Sequence, residues 1–254
     1  MNAHASLAEA ARIALRCLDL TSLNDGDTEA DVDRLCSRAR SRFGDVAAVC
    51  VWPRHAAHAR RQLPASIRVA AVANFPAGGV DAAAALADVH TIVSAGAQEV
   101  DVVLPWRALL AGDDAVVRDL LRSVRAACTG LTLKVILETG ELHAAQRIEH
   151  AARLALAAGA DFLKTSTGKV AVGATLPAAE AMLRAMRGHA QAGLKLSGGL
   201  RRVADLRPYL ELIERERGTD ALQPQRLRFG ASSLLDDIEV VLGGGTHHAP
   251  QQGY

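Results

Sequence analysis

The chain alternates between short apolar runs and longer amphipathic stretches. Residues 46–51 form a continuous apolar run of strand length, as expected for a strand buried on both faces of a parallel sheet. Before it, apolar residues from Val32 to Phe43 recur on one helical face, and Gly44 follows. This strand-and-helix alternation occurs eight times without a linker. The pattern therefore predicts an α/β fold, a single closed (β/α)8 TIM barrel.

The predicted strands span residues 16–21, 46–51, 67–73, 99–104, 131–137, 162–164, 193–196 and 226–230. An extra helix over residues 2–15 precedes them, and Thr28 with Asp31 predicts a capping box. Later helices are expected over residues 106–128 with a break at Gly112, and over 142–158, 176–187, 201–217 and 231–242. Pro208 should kink or divide the helix that contains it. The barrel domain is predicted to span residues 1–242, and residues 243–254 to form a flexible tail.

Composition agrees with one barrel and excludes several other classes. The 254 residues are 50% hydrophobic but only 3% aromatic, so small and branched aliphatic residues must fill the core. A net charge of +1 gives no basic surface for nucleic acid. No apolar run approaches the ~20 residues of a membrane span, and the first helix mixes charges unlike a signal peptide. The sequence therefore predicts neither nucleic-acid nor membrane partners.

The cysteines and histidines suggest no metal site. Four cysteines lie far apart without the spacing of metal ligands, which favours reduced thiols in a cytoplasmic protein. His247 and His248 are too few to indicate a metal ion. We expect no metal and no cofactor.

The sixth predicted strand carries an unusual charge. Lys164 stands at its end, where a charged residue is costly unless it has a partner or a use. Residues 95–101 repeat the pattern of residues 158–164 without gaps, with Asp101 in place of the lysine, and Lys195 lies in the seventh strand. A parallel barrel places its chemistry in this way, at the carboxyl ends of several strands. The alternative for Lys164 is an edge lysine whose ammonium reaches solvent.

Six motifs follow one another along the chain: Leu18-Asp-Leu-Thr21, Glu99-Val-Asp-Val-Val103, Leu133-Lys-Val-Ile-Leu-Glu-Thr-Gly-Glu141, Asp161-Phe-Leu-Lys-Thr-Ser-Thr-Gly-Lys169, Gly193-Leu-Lys-Leu-Ser-Gly-Gly199 and Phe229-Gly-Ala-Ser-Ser233. In this order they resemble the 2-deoxyribose-5-phosphate aldolase family. The resemblance implies a metal-free class I aldolase that cleaves 2-deoxyribose 5-phosphate to glyceraldehyde 3-phosphate and acetaldehyde. It implies that Lys164 forms the Schiff base and that Asp101 and Lys195 transfer protons. It also implies a homodimer.

Elementary electrostatics supports these roles. A lysine nucleophile must be neutral, although its reference pKa is ~10.4. A second ammonium at ~6 Å lowers that pKa by roughly two units at an effective dielectric near 20, and burial can supply the rest. We therefore expect Lys195 to depress the pKa of Lys164, with Asp101 holding Lys195 and a water. A purely structural salt bridge is the alternative for Asp101.

The phosphate end of the substrate is expected in the loops after strands six, seven and eight, near a helix N-terminus. Glycines there let backbone N–H groups approach an anion, although ordinary turn chemistry would also explain them. The candidate substrate-binding residues are Asp19, Thr21, Thr167, Gly168, Lys169, Gly198, Gly199, Gly230, Ser232 and Ser233. Asp19 either orders the barrel top by hydrogen bonding or contacts substrate. Lys134 and Glu138 are expected to form a structural pair inside the barrel, with direct catalysis as the alternative.

Tyr254 ends the chain on a phenol after a glycine-containing tail. It is either a disordered terminus or a residue that relays a proton to the enamine when the tail covers the barrel mouth. Rival functions are a barrel isomerase, a Schiff-base aldolase for another phosphorylated sugar, and a catalytically silent sugar-phosphate binder.

Overall fold

A computed structural model describes residues 6–245 and shows eight parallel strands closed into a barrel. The barrel strands are β1 Leu18–Thr21, β2 Ala48–Val51, β3 Arg68–Ala73, β4 Glu99–Val103, β5 Thr132–Ile136, β6 Phe162–Lys164, β7 Gly193–Ser197 and β8 Leu227–Ala231. Each strand pairs with its sequence neighbours, and β1 pairs with β8. The predicted (β/α)8 barrel is confirmed.

Eleven helices accompany these strands within the described residues. They are α1 Leu7–Arg16, α2 Glu29–Arg38, α3 Pro53–Gln62, α4 Ala82–Ser94, α5 Trp106–Leu110, α6 Asp114–Ala127, α7 Thr139–Leu142, α8 Ala145–Ala157, α9 Leu176–Ala185, α10 Val203–Arg217 and α11 Leu234–Leu242. The extra N-terminal helix α1 packs against α10 and α11. The predicted capping box of α2 is present, with Thr28 and Asp31 bonded reciprocally.

Two local predictions were wrong, and the expected division of a helix at Pro208 does not occur. The segment after β5 contains two helices, because His143 has a positive φ of 55° between α7 and α8. Pro208 does not divide α10, which is continuous from Val203 to Arg217. Proline has no backbone N–H, so Pro208 removes one hydrogen bond near the start of α10. The helix continues because neighbouring residues such as Leu206 and Leu210 are fully buried in the core. The helix that was expected to continue to Phe43 ends at Arg38 instead. Two short antiparallel strands, Arg40–Ser41 and Gly44–Asp45, follow it as a hairpin.

The apolar core lies between the barrel and its helices. Outward-facing strand residues such as Val49, Val100 and Leu163 belong to one large buried cluster with the helices' apolar faces. Inward-facing residues alternate with them. Where these inward positions are small, as at Ala48 and Ala70, space remains in the barrel interior for long charged side chains from the other strands.

All four cysteines are buried and unpaired. No helix within residues 6–245 is both long enough and apolar enough to span a bilayer.

Candidate active site

Seven charged side chains fill the barrel interior, and none is more than 6% exposed. We call this group the ion cluster: Asp19, Glu99, Asp101, Lys134, Lys164, Lys195 and Arg228. Strand register brings them together, since Asp101 pairs with Lys134 and Lys164 pairs with Lys195 across neighbouring strands. The sequence echo between β4 and β6 therefore reflects a shared position in the barrel.

Asp101 is the centre of the ion cluster and binds all three lysines. Its Oδ1 accepts a hydrogen bond from Lys134 Nζ at 2.8 Å. Its Oδ2 accepts from Lys164 Nζ at 2.9 Å and from Lys195 Nζ at 2.7 Å. These cations hold the pKa of Asp101 well below its usual range, although burial opposes them. The carboxylate thus bridges the two amines predicted to carry the chemistry.

The balance of charge in the ion cluster favours one neutral lysine. Four cationic side chains share three carboxylates, in a volume where an uncompensated charge is costly. Lys195 contacts both Asp19 and Asp101. Lys134 contacts Glu99 and Asp101, with Asp19 at 3.5 Å. Lys164 contacts Asp101 alone, so it is the lysine that loses least when its proton leaves.

The pKa directions agree with this assignment. Burial, as the largest cause, lowers the pKa of Lys164; Asp101 opposes it, and Lys195 adds to the lowering. The pKa values of Lys134 and Lys195 are raised, because their carboxylate partners outweigh burial. The expected lowering of the Lys164 pKa by Lys195 is confirmed in direction, although burial is the larger cause. Lys195 is itself paired with Asp19 and Asp101, which offset its charge.

Replacing Lys195 with methionine is expected to move the acid limb of kcat/KM to higher pH. The variant removes a cation that lowers the Lys164 pKa. It also leaves the Asp101 carboxylate with one lysine fewer to bind, so Asp101 interacts more strongly with Lys164. Both changes favour the protonated form of Lys164. The pH profile of kcat/KM measures this shift, since it reports ionisations of the free enzyme. Lys195→Arg, which keeps a permanent cation, should shift the limb less. An unchanged limb in Lys195→Met would contradict the electrostatic coupling.

A pocket of about 350 Å³ opens above the ion cluster, at the carboxyl ends of the strands. We call it the upper pocket. It is lined by Lys164 together with Thr21, Ser22, Leu23, Asn24, Thr167, Gly168, Lys169, Ser197, Gly198, Gly199, Leu200, Arg201, Gly230, Ala231, Ser232 and Ser233. Every predicted substrate-binding residue lines it except Asp19. Asp19, Asp101 and Lys195 are fully buried and lie outside this lining, so Lys164 is the ion-cluster member that faces the pocket.

Close contact between loops shapes the upper pocket. Gly198 has a φ of 89°, and a Cβ at this position would lie 2.7 Å from the Gly173 Cα. A Cβ on Gly230 would lie 3.0 Å from Lys195 Cε. Glycine at position 198 lets the loops after β6 and β7 meet. At position 230 it leaves room for the Lys195 side chain.

Comparison with known proteins identifies the family. Residues 13–237 match the model of the DeoC/LacD family aldolases. The chain belongs to this aldolase family. It is 45% identical over 250 residues to the deoxyribose-phosphate aldolase of Agrobacterium fabrum, covering 97% of this chain and 96% of that one.

Solved structures agree with the DeoC/LacD assignment. A candidate deoxyribose-phosphate aldolase from Toxoplasma gondii ME49 superposes with a TM-score of 0.86 at 25% identity, covering 94% of this chain and 96% of that one. The deoxyribose phosphate aldolase of Aeropyrum pernix, which is described as tetrameric, gives a TM-score of 0.71 at 25% identity, covering 91% and 92%.

Glu138 of this aldolase does not pair with Lys134, so that prediction was wrong. The carboxylate of Glu138 accepts hydrogen bonds from Thr167 N at 3.1 Å and Thr167 Oγ1 at 2.6 Å. Glu138 lies beyond the end of β5 in a left-handed conformation, φ 56° and ψ 57°. Lys134 lies within β5 and binds Glu99 and Asp101 instead. Glu138 therefore positions the loop that carries Thr167 and Lys169 along the upper pocket.

Glu138→Ala is expected to raise KM for a phosphorylated substrate several-fold and to lower stability by about 1–3 kcal/mol. Two buried donors of Thr167 would lose their acceptor, which costs this amount in typical cases. Steady-state kinetics and urea unfolding measure the two effects. Glu138→Gln keeps an acceptor and the side-chain volume and should restore most of the loss. Equal damage by both substitutions would show that the charge matters more than the loop contact.

Sequence reasoning missed Glu99, Arg228 and Arg201 as members of the site. Glu99 precedes Asp101 by two residues on β4 and therefore shares its inward face, a signal that could have found it. Arg228 binds Glu99 through Nη2 at 2.8 Å and Asp19 through Nη1 at 2.6 Å. It lies two residues before the predicted Gly230 and shares its face. Arg201 follows Gly198 and Gly199 on the same loop.

The distribution of lysine in the aldolase is also informative. The chain contains four lysines and 25 arginines. Three of the lysines are in the ion cluster, and the fourth, Lys169, lines the upper pocket. Arginine stays protonated in proteins, whereas lysine can lose its proton. All the lysines of the chain are thus in or beside this site.

Tyr254, His247 and His248 lie outside the described residues. The proposed proton relay by Tyr254 stays a prediction.

Proposed function

We propose that this chain is a class I aldolase that cleaves 2-deoxyribose 5-phosphate reversibly through a Schiff base on Lys164. One observation carries the proposal: Lys164 is the ion-cluster lysine with a single carboxylate partner and a lowered pKa, and it is the one that lines the upper pocket. The name of the Agrobacterium fabrum relative supports the substrate. A silent sugar-phosphate binder would not need such an amine.

The neutral Lys164 amine attacks C1 of the open-chain sugar. The carbinolamine that forms loses water to give an iminium, which attracts electrons from the neighbouring carbon–carbon bond. The C3 hydroxyl then gives up its proton, the C2–C3 bond breaks, and glyceraldehyde 3-phosphate leaves. The remaining enamine takes a proton at C2, and water hydrolyses the resulting iminium to acetaldehyde and free Lys164.

Asp101 and Lys195 suit the proton transfers. Asp101 Oδ2 accepts from both Lys164 and Lys195, so it connects the reacting nitrogen to a second proton donor within hydrogen-bond distance. Lys195 remains protonated because Asp19 and Asp101 raise its pKa. We assign carbinolamine dehydration and enamine protonation to this pair. Asp19 acts through Lys195, as a positioning residue, since its carboxylate is occupied by Lys195 and Arg228.

The far end of the upper pocket suits the phosphate. Gly198 and Gly199 lie in the loop after β7, Gly230 lies near the end of β8, and Ser233 stands at the N-cap of α11; all four line the pocket. A helix N-terminus attracts anions. The side chains of Lys169 and Arg201 also line this pocket, and within residues 6–245 neither has a hydrogen-bond or ion-pair partner. Two uncommitted cations are therefore available for a dianion.

The cellular setting belongs to the same proposal. We place the enzyme in the cytoplasm, where its four unpaired cysteines would stay reduced. We assign it to deoxyribose phosphate catabolism and expect it to act as a homodimer. Light scattering would measure the assembly, and a tetramer such as that described for Aeropyrum pernix would correct it.

Borohydride trapping tests the function directly. The protein is incubated with acetaldehyde and sodium borohydride at neutral pH, digested, and the modified lysine mapped by mass spectrometry. Because the chain has only four lysines, the assignment is unambiguous, and we expect the label on Lys164. Label chiefly on Lys134, Lys169 or Lys195, or no label with retained cleavage, would refute the mechanism. Cleavage of deoxyribose 5-phosphate in a coupled assay tests the substrate separately.

Ser233→Asp is expected to raise KM for deoxyribose 5-phosphate at least tenfold. The substitution places a negative charge beside the proposed phosphate, and like charges in an interface cost several kcal/mol. Unphosphorylated deoxyribose should be affected far less. Ser233→Ala, which adds no charge, is the matched control. Equal losses on both sugars would place the phosphate elsewhere.

A further inference from the structure

A second cavity, larger than the upper pocket, opens at the opposite end of the barrel. It measures about 1220 Å³ and lies at the amino ends of the strands. We call it the lower cavity. Six arginines line it: Arg16, Arg68, Arg122, Arg125, Arg226 and Arg228. Three carboxylates, Asp45, Glu99 and Asp161, share the lining, and none of its residues within 6–245 is a lysine or a histidine.

The fold itself brings these arginines together. The first residues of parallel barrel strands meet at one mouth. Arg68 begins β3, and the alternation of the strand gives it the inward face shared by Ala70 and Val72. Since Ala70 pairs with Glu99, Arg68 lies one layer below Glu99 towards the lower mouth. Arg122 reaches the same mouth from α6.

Four of the six arginines are already bonded within the protein. Arg228 binds Asp19 and Glu99. Arg125 binds Asp161 and nearby backbone carbonyls. The remaining two bonded arginines, Arg16 and Arg226, donate to Leu222 O and to Gln225 O respectively.

Arg68 and Arg122 are different. In the part of the chain that the structure describes, neither guanidinium group forms a hydrogen bond or an ion pair, although both residues line the lower cavity. The carboxylates of the lining are engaged elsewhere: Glu99 by Arg228 and Lys134, Asp161 by Arg125, and Asp45 by Ser66. Ser66 is neutral, so Asp45 keeps its charge, but six arginines against three carboxylates still leave the lining with an excess of positive charge. Within residues 6–245, the guanidinium groups of Arg68 and Arg122 are the two in this lining that have no bonded partner.

We propose that the lower cavity binds a small polyanion, a metabolite with two or more phosphoryl or carboxylate groups, through Arg68 and Arg122. Guanidinium groups bind such oxyanions in a bidentate manner and cannot lose their charge. A cleft lined by one sign of charge also concentrates the opposite ion.

This site is separate from the aldol chemistry. The buried ion cluster lies between the lower cavity and the upper pocket, and Lys164 does not line the lower cavity. The proposal therefore does not depend on the proposed function and can fail without affecting it.

Isothermal titration calorimetry with inorganic pyrophosphate, and separately with citrate, tests the site. Pyrophosphate can also occupy the upper pocket, so the unsubstituted protein should show two sites for it. Ser233→Asp should weaken the upper site and leave the lower one. The double variant Arg68→Ala/Arg122→Ala should weaken the lower site tenfold or more, with cleavage of deoxyribose 5-phosphate unchanged. The variant Arg12→Ala/Arg118→Ala removes two arginines outside the cavity and should bind normally.

The outcomes separate clearly. Loss of the second site only in Arg68→Ala/Arg122→Ala supports the proposal, and whether pyrophosphate or citrate binds more tightly identifies the preferred group. The proposal is wrong if neither probe shows a site that survives Ser233→Asp. It is also wrong if the double variant binds both probes as well as the Arg12→Ala/Arg118→Ala control does.

Discussion

Replacing Lys164 with methionine is expected to reduce kcat for deoxyribose 5-phosphate cleavage by roughly 10⁴-fold or more. Loss of a covalent nucleophile removes the intermediate on which every later step depends, and such losses have this size in other enzymes. Methionine keeps the length of the side chain, and Asp101 retains Lys134 and Lys195 as partners, so the barrel should fold. Coupled-assay kinetics measures the effect.

Lys169→Met is the matched control for this prediction. Lys169 is the fourth lysine and lines the same pocket, but it is exposed and lies outside the ion cluster. Its loss should raise KM for the phosphorylated sugar and leave kcat close to that of the parent. If Lys164→Met kept more than about a hundredth of the parental kcat, another group would have to be the nucleophile.

Lys164→Met should also change how the stability of the protein depends on pH. The folded-state pKa of Lys164 is lowered, whereas the unfolded chain keeps a pKa near ~10.4. Between these two values the unfolded state binds the extra proton, so this lysine makes stability rise with pH and costs stability as pH falls. Urea unfolding of parent and Lys164→Met at several pH values from 7 to 10 should show this slope only in the parent. A parallel pH dependence would mean that Lys164 is charged when folded.

The barrel could be predicted from the sequence because local signals mark where each strand begins and ends. Glycines end helices, apolar runs of strand length follow, and the echo between residues 95–101 and 158–164 places Asp101 and Lys164 at equivalent positions. The upper pocket was predictable for the same reason, since its lining comes from loops that directly follow strands. Only Asp19, among the residues predicted to bind substrate, lies below that lining.

The partners of the buried charges could not be predicted in the same way. Lys134 and Glu138 are close in sequence, but β5 ends at Ile136 and Glu138 turns away into the loop. Glu99 and Arg228 come from strands that are far apart in sequence, yet they bond across the barrel. Such pairs depend on how a closed barrel staggers its strands. Spacing along the chain does not specify that stagger.

The arrangement of charges also supports the proposal that the ion cluster holds a reactive amine. Lys134, Lys195 and Arg228 each have two or more carboxylates nearby, so their protons are firmly held. Lys164 has one, and burial outweighs it. Removing the shared carboxylate, Asp101, therefore affects stability and proton transfer more than it affects the nucleophile.

Asp101→Asn is expected to lower stability by about 3–5 kcal/mol, the usual cost of breaking a buried charge pair. It should also reduce kcat by roughly 10²–10⁴-fold, the range of a lost acid–base group. Urea unfolding and steady-state kinetics measure these effects. The surface carboxylate Asp236, which pairs with Arg38 and is 61% exposed, offers a control. Asp236→Asn should change stability by less than about 1 kcal/mol.

Borohydride trapping in Asp101→Asn shows whether Asp101 transfers protons or holds Lys164 in place. Asp101 raises the pKa of Lys164, so its removal should keep the amine neutral at pH 7 or below. Acetaldehyde should then still label Lys164 while turnover of deoxyribose 5-phosphate collapses, because the iminium forms but protons no longer move from Lys195. If labelling and turnover fall together, Asp101 holds Lys164 in place, and the route for protons must run through another group.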